Sequence, residues 1–222
     1  DLEKQRQAYF NNSENVTWNR RAWNDPRPMF FDNPYWTRYE NYNTDNRRRA
    51  LGYVRLDYKI TDWLNIMGRA SLDTYDEIRE ERYALGSVGV SSYTKYTGRF
   101  AETNYDLMAN VDRNLSEVFN FKATLGTNIR DTKNSNMRAA TNGGLVVPRL
   151  YALSNSRNPM LPPVESDTRQ RVNGYFASAT LGYKQLAFLD VASRVDQSSS
   201  LPTANNTYFY PSISGSFVFS EL

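Results

Sequence analysis

The chain contains no cysteine and no histidine. Without thiols there is no disulfide framework, no thiolate zinc site and no cysteine nucleophile. Without imidazole the commonest general base and the commonest side-chain metal ligand are missing. Most hydrolase and metalloenzyme readings fall with those two residue types. No run of about 18 apolar residues exists, so there is no transmembrane helix. The opening Asp1-Leu2-Glu3-Lys4 carries charge with no apolar run behind it, which predicts no secretory leader here. Excess charge of one sign is also scarce. The 27 Lys+Arg oppose 24 Asp+Glu for a net +3, and the basic residues are spread rather than clustered. That argues against a dedicated nucleic-acid binder.

What is present points elsewhere. The mean hydropathy of −0.70 is that of a very polar chain. Yet 14% of the 222 residues are aromatic, with 16 Tyr and 11 Phe. Disordered chains are poor in aromatics, so simple disorder does not fit. There are also 23 Asn. Tyr, Phe, Thr and Val favour strands, while Asn, Gly, Ser and Asp favour turns. The composition suits long strands joined by polar loops.

Residues 1–46 form a polar, aromatic-rich stretch with turn-rich pieces at Asn24-Asp25-Pro26 and Asp32-Asn33-Pro34. Its first ten residues can form a short helix; the rest reads as a long ordered loop. From 47 onward the hydrophobic period becomes two. Val54, Leu56, Tyr58 and Ile60 alternate with polar residues, and Thr61-Asp62-Trp63 makes a turn. Leu64, Ile66, Gly68, Ala70 and Leu72 share the face of the return strand opposite Arg69 and Asp73. The unit recurs at 105–111 with 119–129, and at 175–183 with 189–195; a seventh strand runs through Phe209, Ile213, Phe217 and Phe219. Strict alternation across short turns is the hairpin signal. Short turns fall near 62, 115 and 185, and longer loops near 83–96, 136–168 and 198–206.

Alternation does not say which face meets the core: a soluble barrel points its apolar side chains inward, a membrane barrel outward. A large soluble sandwich or propeller with one wet face is the alternative. Three features favour the membrane. The strands are longer than the usual five or six residues. Short turns alternate with long loops. Large charged residues (Arg69, Asp73, Lys122, Arg130, Asp190, Arg194) sit in mid-strand. In a sealed core each unpaired charge costs several kcal/mol, whereas a wet lumen removes that cost. Aromatics near strand ends (Tyr58, Trp63, Phe119, Tyr183, Tyr208) suit an interfacial girdle. Single-chain bacterial barrels have an even number of strands, from about 8 upward, so seven strands predict a segment of a larger barrel.

Specific strings then become recognisable. Asp32-Asn33-Pro34-Tyr35-Trp36 precedes Leu56-Asp57-Tyr58-Lys59-Ile60-Thr61-Asp62-Trp63-Leu64. Gly68-Arg69, Asp73-x-Tyr75, Asn104-Tyr105-Asp106 and Leu150-Tyr151-Ala152-Leu153-Ser154-Asn155-Ser156 follow. Arg194-Val195-Asp196-Gln197-Ser198-Ser199-Ser200-Leu201-Pro202 and Asn205-Asn206-Thr207-Tyr208-Phe209-Tyr210-Pro211-Ser212 come near the end. From about residue 30 the chain resembles the mid-barrel region of the SusC/RagA family of TonB-linked outer-membrane transporters of Bacteroidetes. The resemblance implies an integral bacterial outer-membrane barrel of about 22 strands with an N-terminal plug. It implies contact with outer-membrane lipid, import of oligosaccharides or peptides, a SusD-like surface lipoprotein, and TonB acting through parts outside this chain. The rival readings are a passive porin or secretion-type barrel, and a surface adhesion or structural protein.

No catalytic constellation, metal site or cofactor motif emerges, so a non-enzyme is expected. Asp76-Glu77 and Glu80-Glu81 lie among Arg79 and Arg82 and read as a salt-bridged strand extension, with calcium binding as the lesser alternative. Neither glycine pair, near Gly86 or at Gly143-Gly144, has the Lys-Ser/Thr of a phosphate loop. The lumen-facing candidates are Arg69, Asp73, Asp190, Arg194 and Asp196, which either contact substrate or brace the wall. The loop aromatics Trp18, Trp23, Tyr35, Trp36 and Tyr151 either stack on sugars or pack the loops and dock a lid.

Overall fold

The computed structural model describes residues 2–221, with side chains through 220. It opens with helix α1 (Leu2–Asn12), a small hairpin of β1 (Arg20–Ala22) and β2 (Asp25–Pro28), and helix α2 (Pro34–Tyr39). The long strands are β3 (Asn43–Thr61), β4 (Leu64–Tyr83), β5 (Ser92–Asn114) and β6 (Phe119–Ala140). A second small hairpin follows, β7 (Asn142–Leu145) with β8 (Ser156–Asn158). The chain then runs through β9 (Val164–Tyr183), β10 (Ala187–Ser198) and β11 (Thr207–Phe217). Seven strands form one sheet in the order β11-β10-β9-β6-β5-β4-β3, so each long strand pairs with its chain neighbours. No described helix is long and apolar enough to cross a membrane, which says nothing about strands.

The all-β antiparallel meander and its three short turns stand where the alternation puts them. Some strands nevertheless run past their expected ends. β5 begins at Ser92, β6 reaches Ala140 and β9 begins at Val164, inside the loops expected near 83–96 and 136–168, while β4 ends at Tyr83, where the first of those loops is expected to start. The added portion Glu165-Ser166-Asp167-Thr168 of β9 is polar on both faces, so no apolar period marks it. The expected loop at 1–46 likewise holds the β1–β2 hairpin and α2 as well as α1.

By its contacts the chain divides into two units: residues 1–48, 76–99 and 135–167, and residues 49–75, 100–134 and 168–222. In the second unit the sheet has two unlike faces, because successive side chains on a strand point opposite ways. The alternate positions from 64 to 72, 103 to 111, 121 to 129, 175 to 183, 187 to 195 and 209 to 217 include no charged residue. Each of these runs spans 9 residues. They face solvent in the isolated chain: Leu107 is 55% exposed, Leu125 66% and Ile213 73%. Leu56 at 73% and Leu189 at 47% agree, so these leucines do not fill a dry centre. Met67 is the only buried hydrophobic side chain of this unit among the described residues.

The first unit is packed differently. Trp36, Ala84, Tyr93, Ala139 and Leu145 are buried, and so are Asn19, Asn33, Glu40, Glu77 and Asn155. Its loops are closed by side-chain amides acting as surrogate backbone. Asn33 is fully buried; its amide donates to the carbonyls of Gln5 (2.7 Å) and Val16 (2.9 Å), and its oxygen caps α2 by accepting from the Tyr35 amide (2.9 Å). Pro34 then supplies the first helical position, where a missing N–H costs nothing. The Asn155 amide donates to the carbonyls of Val147 (2.8 Å) and Leu150 (2.7 Å).

Candidate functional site

The charged face of the second unit carries the sequence-predicted polar row. Arg69 on β4 donates to Asp106 on β5 at 2.8 Å, and Asp106 also accepts from Asn128 on β6 at 2.6 Å. This carboxylate is buried, so its two partners are what make it tolerable there. Asp73 receives two donors from Arg49, at 2.7 and 2.6 Å. Thr132 donates to Glu102, Thr124 to Asn110, and Thr180 to Asp190 at 2.5 Å. Lys122 pairs with Asp112 at 3.3 Å. Arg130 has no ion-pair partner among the described residues.

On β10, Arg194 binds Asp196 through Nε at 2.8 Å and stands 5.8 Å from the Phe176 ring centre. The register sets Arg194 opposite Phe176 and Asp196 opposite Gly174. A Cβ at Gly174 would lie 2.5 Å from Arg194 Nη2 and 2.7 Å from Asp196 Oδ1, so the missing side chain is the room the ion pair occupies. The five predicted residues therefore do not form one cluster. Arg69 and Asp73 have separate partners, and Asp190 is hydrogen-bonded apart from the Arg194–Asp196 pair.

Arg194–Asp196 belongs to a pattern that the sequence reading missed. Arg27–Asp25, Arg55–Asp57, Arg79–Glu77 and Arg82–Glu80 are likewise ion pairs two residues apart on one strand. Residues i and i+2 share a face of a strand, so the spacing suffices for contact. Arg-x-Asp and Glu-x-Arg inside an alternating segment were the signal. Asp76, Glu77, Glu80 and Glu81 all find arginines: Glu77 takes Arg47 and Arg79, Asp76 faces Arg99 at 3.7 Å, and Arg138 reaches Glu81 at 3.4 Å. No group of three or more acidic residues able to hold a metal ion occurs among the described residues.

The loop aromatics are placed unequally. Trp18 is 72% and Trp23 90% exposed, with Trp18 edge-on to Phe31 at 5.4 Å. Tyr35 is half-buried and edge-on to Phe10. Trp36 is buried, and its indole N–H donates to Ser87 at 2.9 Å. A Cβ at Gly86 would come 3.3 Å from the Trp36 ring, so the indole has no open face for a sugar there. Tyr151 donates to the Glu40 carbonyl at 3.0 Å and lies edge-on to Tyr42.

Asp32, the first residue of the Asp-Asn-Pro-Tyr-Trp string, accepts from the Val88 amide at 2.8 Å and from Asn15 at 2.7 Å. The string thus fastens the N-terminal segment to the β4–β5 loop. Arg149 fastens the same segment to the loop after β7. It donates to the Glu40 carboxylate at 3.1 and 2.6 Å, and the Tyr9 hydroxyl adds 3.1 Å. The Arg149 hydrogen bond holds the Glu40 carboxyl below its ordinary value, burial opposes, and Tyr9 assists. Arg149 adopts φ +59°, a left-handed conformation that non-glycine residues occupy at a cost. Beneath these loops Tyr93 donates a short hydrogen bond to Glu80. Burial, with that bond second, pushes the Tyr93 hydroxyl up to about 12.

No protein-family model matches the sequence, and no curated protein matches it. Solved structures do match. The chain superposes on the RagAB peptide transporter with a TM-score of 0.79 at 16% identity, over 91% of its own length and 23% of that chain. The RagAB peptide importer matches equally in its open-open state (TM-score 0.79) and closely in its closed-closed state (0.78), both at 16% identity. The chain spans less than a quarter of the length of these proteins. It has the fold of a portion of their β-barrel.

Proposed function

We propose that this chain is wall and outer loop of a TonB-dependent outer-membrane transporter of the SusC/RagA type. In this reading the uncharged face meets lipid and the charged face lines a hydrated lumen. The short turns near 62, 115 and 185 lie in the periplasm, and the loops near 83–96, 136–168 and 198–206 lie outside with residues 1–46. Strands β3 and β11, exposed along their whole length, pair with further strands of the complete barrel. Lipid leaves open sheet edges no other partner.

One observation carries the reading: six sets of alternate positions, each uncharged and spanning 9 residues, share a face whose reverse is laced with ion pairs. A tilted strand crosses the hydrocarbon of a bilayer in about 9–11 residues. The likeness to a peptide transporter favours an oligomeric cargo, peptide or oligosaccharide. Transport makes no covalent bond, so the chain's task is to hold the wall and shape the passage. Arg69, Asp73, Asp190, Arg194 and Asp196 chiefly brace that wall, each having a partner within it. Arg130 is the better candidate for touching a passing carboxylate. The exposed Trp18 and Trp23 suit docking of a SusD-like lipoprotein.

The test uses the full-length transporter. Cells should take up a fluorescent oligopeptide or oligosaccharide only while TonB is energised, and purified protein should not swell liposomes in solutes of that size. Free swelling by the wild type would establish the passive porin instead.

A further inference from the structure

On β6 the uncharged run ends at Ile129, and the next residue on that face is Asp131. Its carboxylate is only 8% exposed and is held by two arginines of β9. Arg169 donates through Nε at 3.0 Å and Nη2 at 2.5 Å, and Arg171 through Nε at 3.2 Å and Nη2 at 2.9 Å. One carboxylate thus fixes two guanidinium groups side by side. Both remain more than half exposed, at 57% and 52%, and neither commits its Nη1. Lys133, next on this face of β6, is exposed and has no ion-pair partner among the described residues. The four groups carry two positive charges in excess. Asp167 and Glu165 follow on β9 farther from the apolar run.

We infer that Arg169 and Arg171, clamped by Asp131 at the rim of the uncharged face, bind the phosphate-bearing headgroup of an anionic lipid. The inference rests on the reading of that face as the lipid contact. Two planar, pre-oriented forks present paired N–H donors, the geometry that phosphate oxygens accept. The position adds the second half of the argument. A ligand whose acyl chains lie along Leu125 and Ile129 brings its headgroup to the height of Asp131, about 7 Å beyond Ile129 at the rise of an extended strand. A free anion has no tail to use that adjacency.

The experiment places the full-length transporter in nanodiscs of phosphatidylcholine and phosphatidylglycerol in equal parts, then measures by native mass spectrometry which lipid stays bound. The wild type should retain phosphatidylglycerol in preference, and Arg169→Gln with Arg171→Gln should cut that preference about tenfold. Equal retention of both lipids by the wild type, or an undiminished preference in the variant, would overturn the site. Asp131→Asn separates a clamp from bare charge. It adds positive charge yet frees both guanidinium groups, so the clamp requires weaker retention, and stronger retention refutes it. Inorganic phosphate added in detergent should compete poorly; efficient competition would reassign the site to a free anion and overturn the lipid. Compact migration of the unheated variants on a gel confirms that they have folded. Failure of the wild type to enter nanodiscs would instead sink the lipid-contact reading itself, and the site with it.

Discussion

The two units solve the same problem, a very polar chain with little to bury, in opposite ways. The second unit (49–75, 100–134 and 168–222) sorts its side chains by parity and leaves the apolar ones exposed. The first (1–48, 76–99 and 135–167) buries aromatic and amide groups together and closes its loops through individual side-chain hydrogen bonds such as those of Asn33 and Asn155. One is a repeating pattern in which no single residue decides the outcome. The other depends on individual atoms, so a single truncation should be felt far more sharply there.

The largest test of that contrast is Asn33→Ala. It removes the α2 cap and leaves the Gln5 and Val16 carbonyls without their amide donor. At roughly 1 kcal/mol or more for each buried bond, a local loss of about 4 kcal/mol is expected. Hydrogen exchange should rise across 5–39 and stay unchanged in β9 and β10. Next comes Leu125→Arg, on the exposed apolar face. It should cost about 3 kcal/mol in bilayer refolding if that face meets lipid, and almost nothing if it meets water. Equal refolding midpoints would erase the distinction between the faces.

Arg149→Ala should release the loop after β7 at a cost of about 2 kcal/mol, read as faster proteolysis around 146–152. Acid sharpens the same point. Because the folded Glu40 carboxyl titrates below its ordinary 4.5, its contribution is complete above that value. It is lost as pH falls through the lowered folded value. Exchange in 146–152 should therefore accelerate in acid in the wild type and show no such step in Glu40→Gln.

In the patterned unit, Gly174→Val should displace Arg194 from Asp196 and cost about 2 kcal/mol by overpacking, visible as a lowered unfolding midpoint. The smallest effect is a gain. Lys184 and Gln185 form a tight turn at φ +47° and +58°. Gln185→Gly should relieve about 1 kcal/mol of left-handed strain and raise that midpoint slightly.

The same contrast explains what the sequence could tell. Period two is a property of the residue list itself, so the strands through Leu64, Leu107, Leu125 and Leu189 and their short turns were legible. The start of β9 was not, because Glu165 to Thr168 are polar on either face and the alternation vanishes. The charged row was legible as charge but not as partnership. Nothing along the chain announces that Arg69 meets Asp106, 37 residues away, or that Arg149 meets Glu40 across 109. Trp36 was visible as an aromatic in a loop; its burial against Gly86 depends on the fold of two distant segments. The strings around Asp32 and Leu150 were conspicuous, and the structure gives them a fastening role that composition does not express.

If the uncharged face meets lipid as proposed, the arginines that hold a carboxylate two residues away have a bearing on biogenesis. A β-strand delivered to a membrane before its neighbour would ordinarily bring naked ions to a non-aqueous boundary. Here β3, β4 and β10 each travel with counter-ions already attached, through Arg55–Asp57, Arg79–Glu77, Arg82–Glu80 and Arg194–Asp196. For those four pairs neutralisation would not wait for the adjoining ribbon, whereas Arg49–Asp73, Arg69–Asp106 and Lys122–Asp112 form only once the neighbouring strand has arrived.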